Sequence, residues 1–130
     1  MREILFRGKR IDNGEWVEGF LIGLYDPMIK ENTIKHAFIK DGTIFDGEHK
    51  VDPETIGQYT GLTDRNGKKI FEGDILKGSD NIICVVEWDT ENARFLGRVI
   101  LNKERYIAYI GREPKSENIG NIYDNPELLN

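Results

Sequence analysis

One thiol (Cys84), two imidazoles (His36, His49), two hydroxymethyl groups (Ser79, Ser116) and a scatter of carboxylates are the side chains here that could do covalent or acid–base chemistry. A nucleophile needs a base within hydrogen-bond reach and a third group to orient that base. The sequence contexts do not suggest such a set. Cys84 lies inside the apolar run Ile82–Val86 and reads as a small buried hydrophobe, not an activated thiol. A single cysteine also forms no intrachain disulfide. Ser79 and Ser116 sit in polar, turn-like stretches without a G-x-S-x-G context. One Cys and two His, with no CxxC, HxxxH or HExxH spacing, predict no metal centre. The histidines read as loop or strand-surface side chains. Neither a Walker loop nor a strand-linked G-x-G-x-x-G is present, so no cofactor is expected.

Carboxylates are plentiful, Asp52, Glu54, Glu72, Asp74, Asp89 and Glu91 among them. Abundance does not define an acid–base pair, because that work depends on geometry and shifted pKa values. Asp74 stands out, between Gly73 and Ile75 where a turn enters a strand. It either contacts a ligand or partner, or accepts hydrogen bonds from neighbouring backbone N–H groups to fix the turn. Tyr59, near Arg65 and Lys68, is the candidate stacking platform for single-stranded nucleic acid; its plainer reading is a core tyrosine. Tyr59, Arg65, Lys68 and Asp74 are therefore the candidate binding residues. No catalytic residue is assigned, and the chain reads as a non-enzyme.

These residues sit on a chain of 130 residues with formal net charge −5 and a pI near 5.1. That length holds one domain, or two very small lobes. The acidic balance disfavours general nucleic-acid binding, which is driven largely by Lys and Arg displacing counterions. Two local basic clusters remain, Arg2/Arg7/Lys9/Arg10 and Arg65/Lys68/Lys69, and both read most simply as solvated strand or turn surface. No apolar run approaches the ~18 residues of a membrane span, and the start has no apolar signal region, so a cytoplasmic location and no membrane contact are expected.

The elements that position these residues read as strands. Asn13-Gly14 and Asn66-Gly67 favour two-residue hairpin turns. The first joins strands around Ile4–Phe6 and Glu15–Ile22. A strand follows around Thr33–Ile39. Asp41-Gly42 with Thr43–Phe45 reads as a short hairpin, and 46–50 as loop. Asp52-Pro53 is a natural joint, followed by a strand over Glu54–Tyr59. Ile75–Lys77 begins a further strand. Ile82–Trp88, nearly continuously apolar, reads as a central strand covered on both faces. Ala93–Leu101, Arg105–Ile110 and Ile119–Tyr123 complete the set, and Asn125–Leu129 forms a helical turn. The expected core anchors are Phe6, Trp16, Phe20, Phe38, Phe45, Tyr59, Phe71, Trp88, Phe95, Tyr106, Tyr109 and Tyr123.

The expected fold is mainly β, with N-terminal β-hairpins over 1–55, a C-terminal SH3-like barrel-type β unit over 56–130, and only short helical turns. Three motifs carry a resemblance that covers almost the whole chain. Met1–Lys9 with Gly14–Gly19 forms the first. Val51–Leu62, Asp64–Lys68 and Phe71–Ile75 form the second, and Ile119–Leu129 the third. In this order they resemble the YopX family of phage and prophage proteins. The resemblance implies a mainly β fold, a phage or prophage origin and homo-oligomerisation, and it supplies no activity and no catalytic residues. The functional expectation is an accessory protein that self-associates and binds a host or phage protein partner. The alternative is a nucleic-acid-associated SH3-like module.

Overall fold

The computed structural model describes residues 2–25, 34–41, 47–101, 104–112 and 114–130. Two compact units divide the chain, Met1–Gln58 and Tyr59–Asn130. Every strand pair is antiparallel, and the only helical elements among the described residues are two short 3-10 turns.

The first unit orders its strands β4-β3-β2-β1 (β1 Phe6–Lys9, β2 Trp16–Tyr25, β3 Ile34–Lys40, β4 Glu48–Val51). Beyond β1, Gly57 and Gln58 pair with Arg7 and Phe6. The period-2 alternation of a strand sorts the side chains into two faces. Inward lie Ala37, Ile39 and Val51, all without solvent exposure, with Phe6, Val17, Leu21 and Ile56 packed on them. Outward, cross-strand register aligns Arg7 with Glu18, Lys9 with Trp16, Phe20 with Lys40, and Ile22 with Phe38. β2 and β3 approach so closely that a Cβ built on Gly19 would run into the backbone carbonyl of Lys40. The Asp52-Pro53 joint opens a 3-10 turn over Pro53–Thr55, capped by the Asp52 carboxylate accepting from Glu54 N–H at 3.0 Å. Thr55 Oγ1 in turn accepts from Lys9 N–H at 2.9 Å, tying the joint to β1.

In the second unit, Tyr59 and Thr63 of β5 (Gly57–Thr63) pair with Phe71 and Lys69 of β6 (Lys69–Phe71). A five-stranded sheet follows in the order β10-β9-β8-β7-β11, with β7 Asp74–Lys77, β8 Ile83–Asp89, β9 Arg94–Leu101, β10 Glu104–Ala108 and β11 Glu117–Asn121. Its core joins Ile70, Leu76, Cys84, Val86, Val99 and Ile110. The apolar run at 82–88 occupies the middle of this sheet, with Val85 buried on one face and Cys84 and Val86 on the other. Gly97 pairs with Val86 across β8–β9, diagonal to Cys84, and a Cβ there would lie 2.7 Å from the Cys84 Sγ. A 3-10 turn over Pro126–Leu129 ends the unit.

The expected mainly β fold is present, and among the described residues the sheet of the second unit is open, with β10 and β11 at its edges. Several other sequence expectations need correction. Residues 48–51, expected to be mostly loop, form β4 because their backbone pairs with β3. Glu54 and Thr55, expected to open the next strand, instead complete the 3-10 turn that Pro53 begins, because the Asp52 cap and the fixed φ of proline hold a turn there. Four expected core aromatics are exposed: Phe20, Trp88, Tyr109 and Tyr123. Aromatic type alone did not place them, because each lies on an outward face, at a strand end or in a turn. The hairpin expected at 41–45 lies largely outside the described residues, as do the side chains of Phe45 and Tyr106.

Candidate functional site

The central motif folds into a carboxylate-centred loop. Asp64 is 3% exposed. Its Oδ1 accepts from the backbone N–H of Asn66 (2.9 Å) and of Lys68 (2.8 Å), and its Oδ2 accepts from Asn118 N–H at 2.9 Å. The first bond is an Asx turn, the local habit of Asp ahead of a reversal. Gly67 N–H donates to Asp64 carbonyl at 3.0 Å and Asp64 N–H to Lys68 carbonyl at 2.8 Å. With φ +81 at Gly67, this is a type I turn closed by a glycine bulge, not a two-residue turn. Burial pushes the Asp64 pKa up. The three backbone donors, helped by the Lys68 charge, outweigh it and hold the carboxyl below its ordinary value.

Asp74 is 1% exposed. Its Oδ2 accepts from Phe71 N–H at 2.8 Å and from Asn118 Nδ2–H, also at 2.8 Å. Asn118 therefore links the two buried carboxylates, its backbone to Asp64 and its side chain to Asp74. The closing motif is built on the same principle: Asn121 Oδ1 accepts from the backbone N–H groups of Tyr123 (3.0 Å) and Asp124 (2.9 Å).

The four candidate binding residues fall within this region and do not converge on an open site. The Tyr59 ring is buried, 5.6 Å from Phe71, with Lys69 Nζ 5.8 Å from its centre. Arg65 is exposed and pairs with Glu117 at 2.8 Å. Lys68 is exposed, and its backbone N–H serves Asp64. Asp74 is fully engaged inside. Asp64, which binds more of the motif than Asp74 does, was not singled out in the sequence. The signal for it was present in an aspartate two residues ahead of Asn-Gly.

Two larger grooves lie elsewhere in this unit. One, about 330 Å³, is lined by Ile83, Val85, Arg98, Leu128 and Leu129. The other, about 530 Å³, has Cys84, Val99 and Ala108 in its lining, with Asp80 and Arg112 among the polar groups. Arg98 is held by Glu87 at 2.6 Å. Burial, with the Asp80 charge, raises the Cys84 thiol to about 11, so it is protonated at neutral pH and a poor nucleophile. Among the described residues, no three His, Cys, Asp or Glu side chains converge as metal ligands.

The first unit exposes apolar side chains, as the second does at Ile107, Tyr109 and Trp88. Phe20 is 64% and Ile22 40% exposed on the outward face of β2, beside the half-buried Phe38. Cross-strand register puts Phe20, Ile22 and Phe38 on one outward sheet face.

A mainly antiparallel β protein, with buried acids fixing one unit and an apolar face open on the other, is the class these features define. The YopX protein family matches residues 5–130, and the chain belongs to that family. A crystal structure of protein EF1440 from Enterococcus faecalis is similar to this chain at a TM-score of 0.60 and 26% identity, covering 100% of both chains. No curated protein matches the chain. Among the described residues no helix is long and apolar enough to cross a membrane.

Proposed function

We propose that this protein is a non-enzymatic accessory protein of phage or prophage origin that self-associates and works by binding protein. The observation that carries this reading is the Phe20–Ile22–Phe38 face of the first unit. Apolar area left in water on a sheet gains about 25 cal/mol per Å² when a partner covers it. The buried acids of the second unit support the same reading, since both oxygens of Asp64 and Oδ2 of Asp74 accept from backbone and amide donors and serve shape.

Light scattering on the purified full chain tests the proposal. The expected result is a mass that is a multiple of 15.0 kDa. A strict monomer at tens of micromolar overturns self-association.

A further inference from the structure

We infer that Asn66 is a site of spontaneous covalent modification. The Asn66-Gly67 pair rearranges in the folded protein, turning the asparagine into aspartate and isoaspartate, while the matching pair Asn13-Gly14 is held back.

The chemistry needs water and no oxidant. The Gly67 backbone nitrogen attacks Cγ of Asn66 and forms a C–N bond. The bond from Cγ to Nδ2 breaks, and the amide nitrogen leaves as ammonia, carrying the proton that Gly67 gave up. Water then opens the cyclic imide at either carbonyl. One opening gives aspartate; the other routes the main chain through Cγ and gives isoaspartate. Glycine obstructs the attack least, because it has no Cβ and its φ is unrestricted. Both Asn-Gly pairs lie in exposed turns. In both, the glycine N–H is engaged, with Asp64 carbonyl at 3.0 Å and with Arg10 carbonyl at 2.9 Å. Neither feature separates the two pairs.

Two other features do. The Asn13 amide is held at both ends by Glu15: its Oδ1 accepts from Glu15 N–H at 2.9 Å, and its Nδ2 donates to the Glu15 carboxylate at 3.4 Å. Asn66 gives only its backbone N–H, to Asp64, and among the described residues no hydrogen bond holds its side chain. Its Cγ is therefore free to rotate onto the glycine nitrogen. Charge works in the same direction. Arg65 and Lys68 flank the first pair, Asp12 and Glu15 the second. Attack passes through an anionic glycine nitrogen, which nearby cations stabilise and nearby carboxylates oppose.

The product alters the loop that organises the second unit. Isoaspartate inserts a main-chain carbon between residues 66 and 67. That insertion falls inside the span that Asp64 Oδ1 closes through the N–H groups of Asn66 and Lys68. A lengthened span cannot keep both bonds. Either product also adds a negative charge two residues from the buried Asp64 carboxylate.

The test holds the full chain in mildly alkaline buffer, folded or in guanidinium, and follows chymotryptic peptides covering 7–16 and 60–71 by mass over days. In the folded chain the peptide with Asn66 should exchange NH₂ for OH several-fold faster than the peptide with Asn13. In guanidinium the two rates should draw together, because the Glu15 hold is gone and the flanking charges are screened. Asn66→Gln removes no side-chain hydrogen bond of the fold and should abolish the change in 60–71, since glutamine must close a larger ring. In the aged chain, hydrogen exchange at Lys68 N–H should quicken. Asn13 keeping pace with Asn66 in the folded chain overturns the inference, as does conversion of Asn66 in guanidinium alone. An isoaspartate-bearing chain with full protection at Lys68 overturns the effect on the loop.

Discussion

The first unit leaves phenylalanine in water, while the second takes aspartate out of it. Phe20 is 64% exposed, whereas Asp64 and Asp74 are 3% and 1% exposed. Each arrangement is unfavourable alone: an isolated buried carboxylate loses its hydration, and an exposed aromatic ring orders water. The second unit resolves its case internally, with backbone and amide donors on both acids. Among the described residues Phe20 stays in water, as Tyr109 (68% exposed) does in the second unit. The buried acids mark where shape is held, and the exposed rings are what the proposed binding rests on.

The largest expected effect strikes the first unit alone. Gly19→Ala would drive a Cβ into the backbone carbonyl of Lys40, and a carbonyl held in a strand pair cannot swing aside as a side chain can. The expected cost is about 3 kcal/mol, the upper end of ordinary overpacking. Hydrogen exchange should show amides of β2 and β3 losing protection, and those of β7–β9 keeping it. Equal loss in both units would mean that the two do not respond separately.

Next comes Asp64→Asn. An amide has one acceptor oxygen, so its NH₂ must face donors that Asp64 now satisfies through both oxygens. The expected loss is about 2 kcal/mol, as for a buried donor left unmade. The pH dependence follows from the depressed folded-state pKa. Stability from this group is complete above the unfolded-state carboxylate value of about 4. It is lost as pH falls through the lower folded-state value. Chemical denaturation between neutral and acid pH should show a slope in that range that Asp64→Asn reduces. An unchanged slope would remove Asp64 as its source.

The smallest effect belongs to Arg65→Ala. Its pair with Glu117 has both side chains more than a third exposed, so the expected change is at most about 0.5 kcal/mol. Thermal denaturation resolving a loss of several times that size would show that the pair is a real strut of the loop and not a solvated contact.

The sequence located the reversals better than their geometry. Asn13-Gly14 and Asn66-Gly67 both sit at hairpins, as Asn-Gly chemistry predicts. Yet in each the glycine alone has positive φ, +72 at Gly14 and +81 at Gly67. Neither turn is the two-residue kind, because longer-range acceptors set the loops: Arg10 N–H pairs with Glu15 carbonyl, and Asp64 gathers three donors. The central strand at 82–88 was legible because a continuous apolar run needs cover on both faces. β4 was not, since Glu48-His49-Lys50 carries no apolar alternation and is held by its backbone pairing with β3. The Phe20 face was misread for a different reason. Alternation along β2 separates Val17 and Leu21 from Phe20 and Ile22 but does not say which set lies inside. Only the cross-strand partners Ala37, Ile39 and Val51 decide that. Asp74 could be read either way, and its bond to Phe71 N–H agrees with the turn-fixing reading. Its second partner, Asn118, lies 44 residues away, too far for local reasoning to find.

That distance shapes how a nascent copy must be made. Asn118 reaches back 54 residues to Asp64 and 44 to Asp74. Until the last strand leaves the ribosome, one side of β7 has no neighbour and both acids lack the donor that Asn118 supplies. Contacts so far apart in the chain form late and slowly. The second unit therefore remains unfinished through most of its own synthesis, with the edge of β7 bare to whatever other strand arrives first.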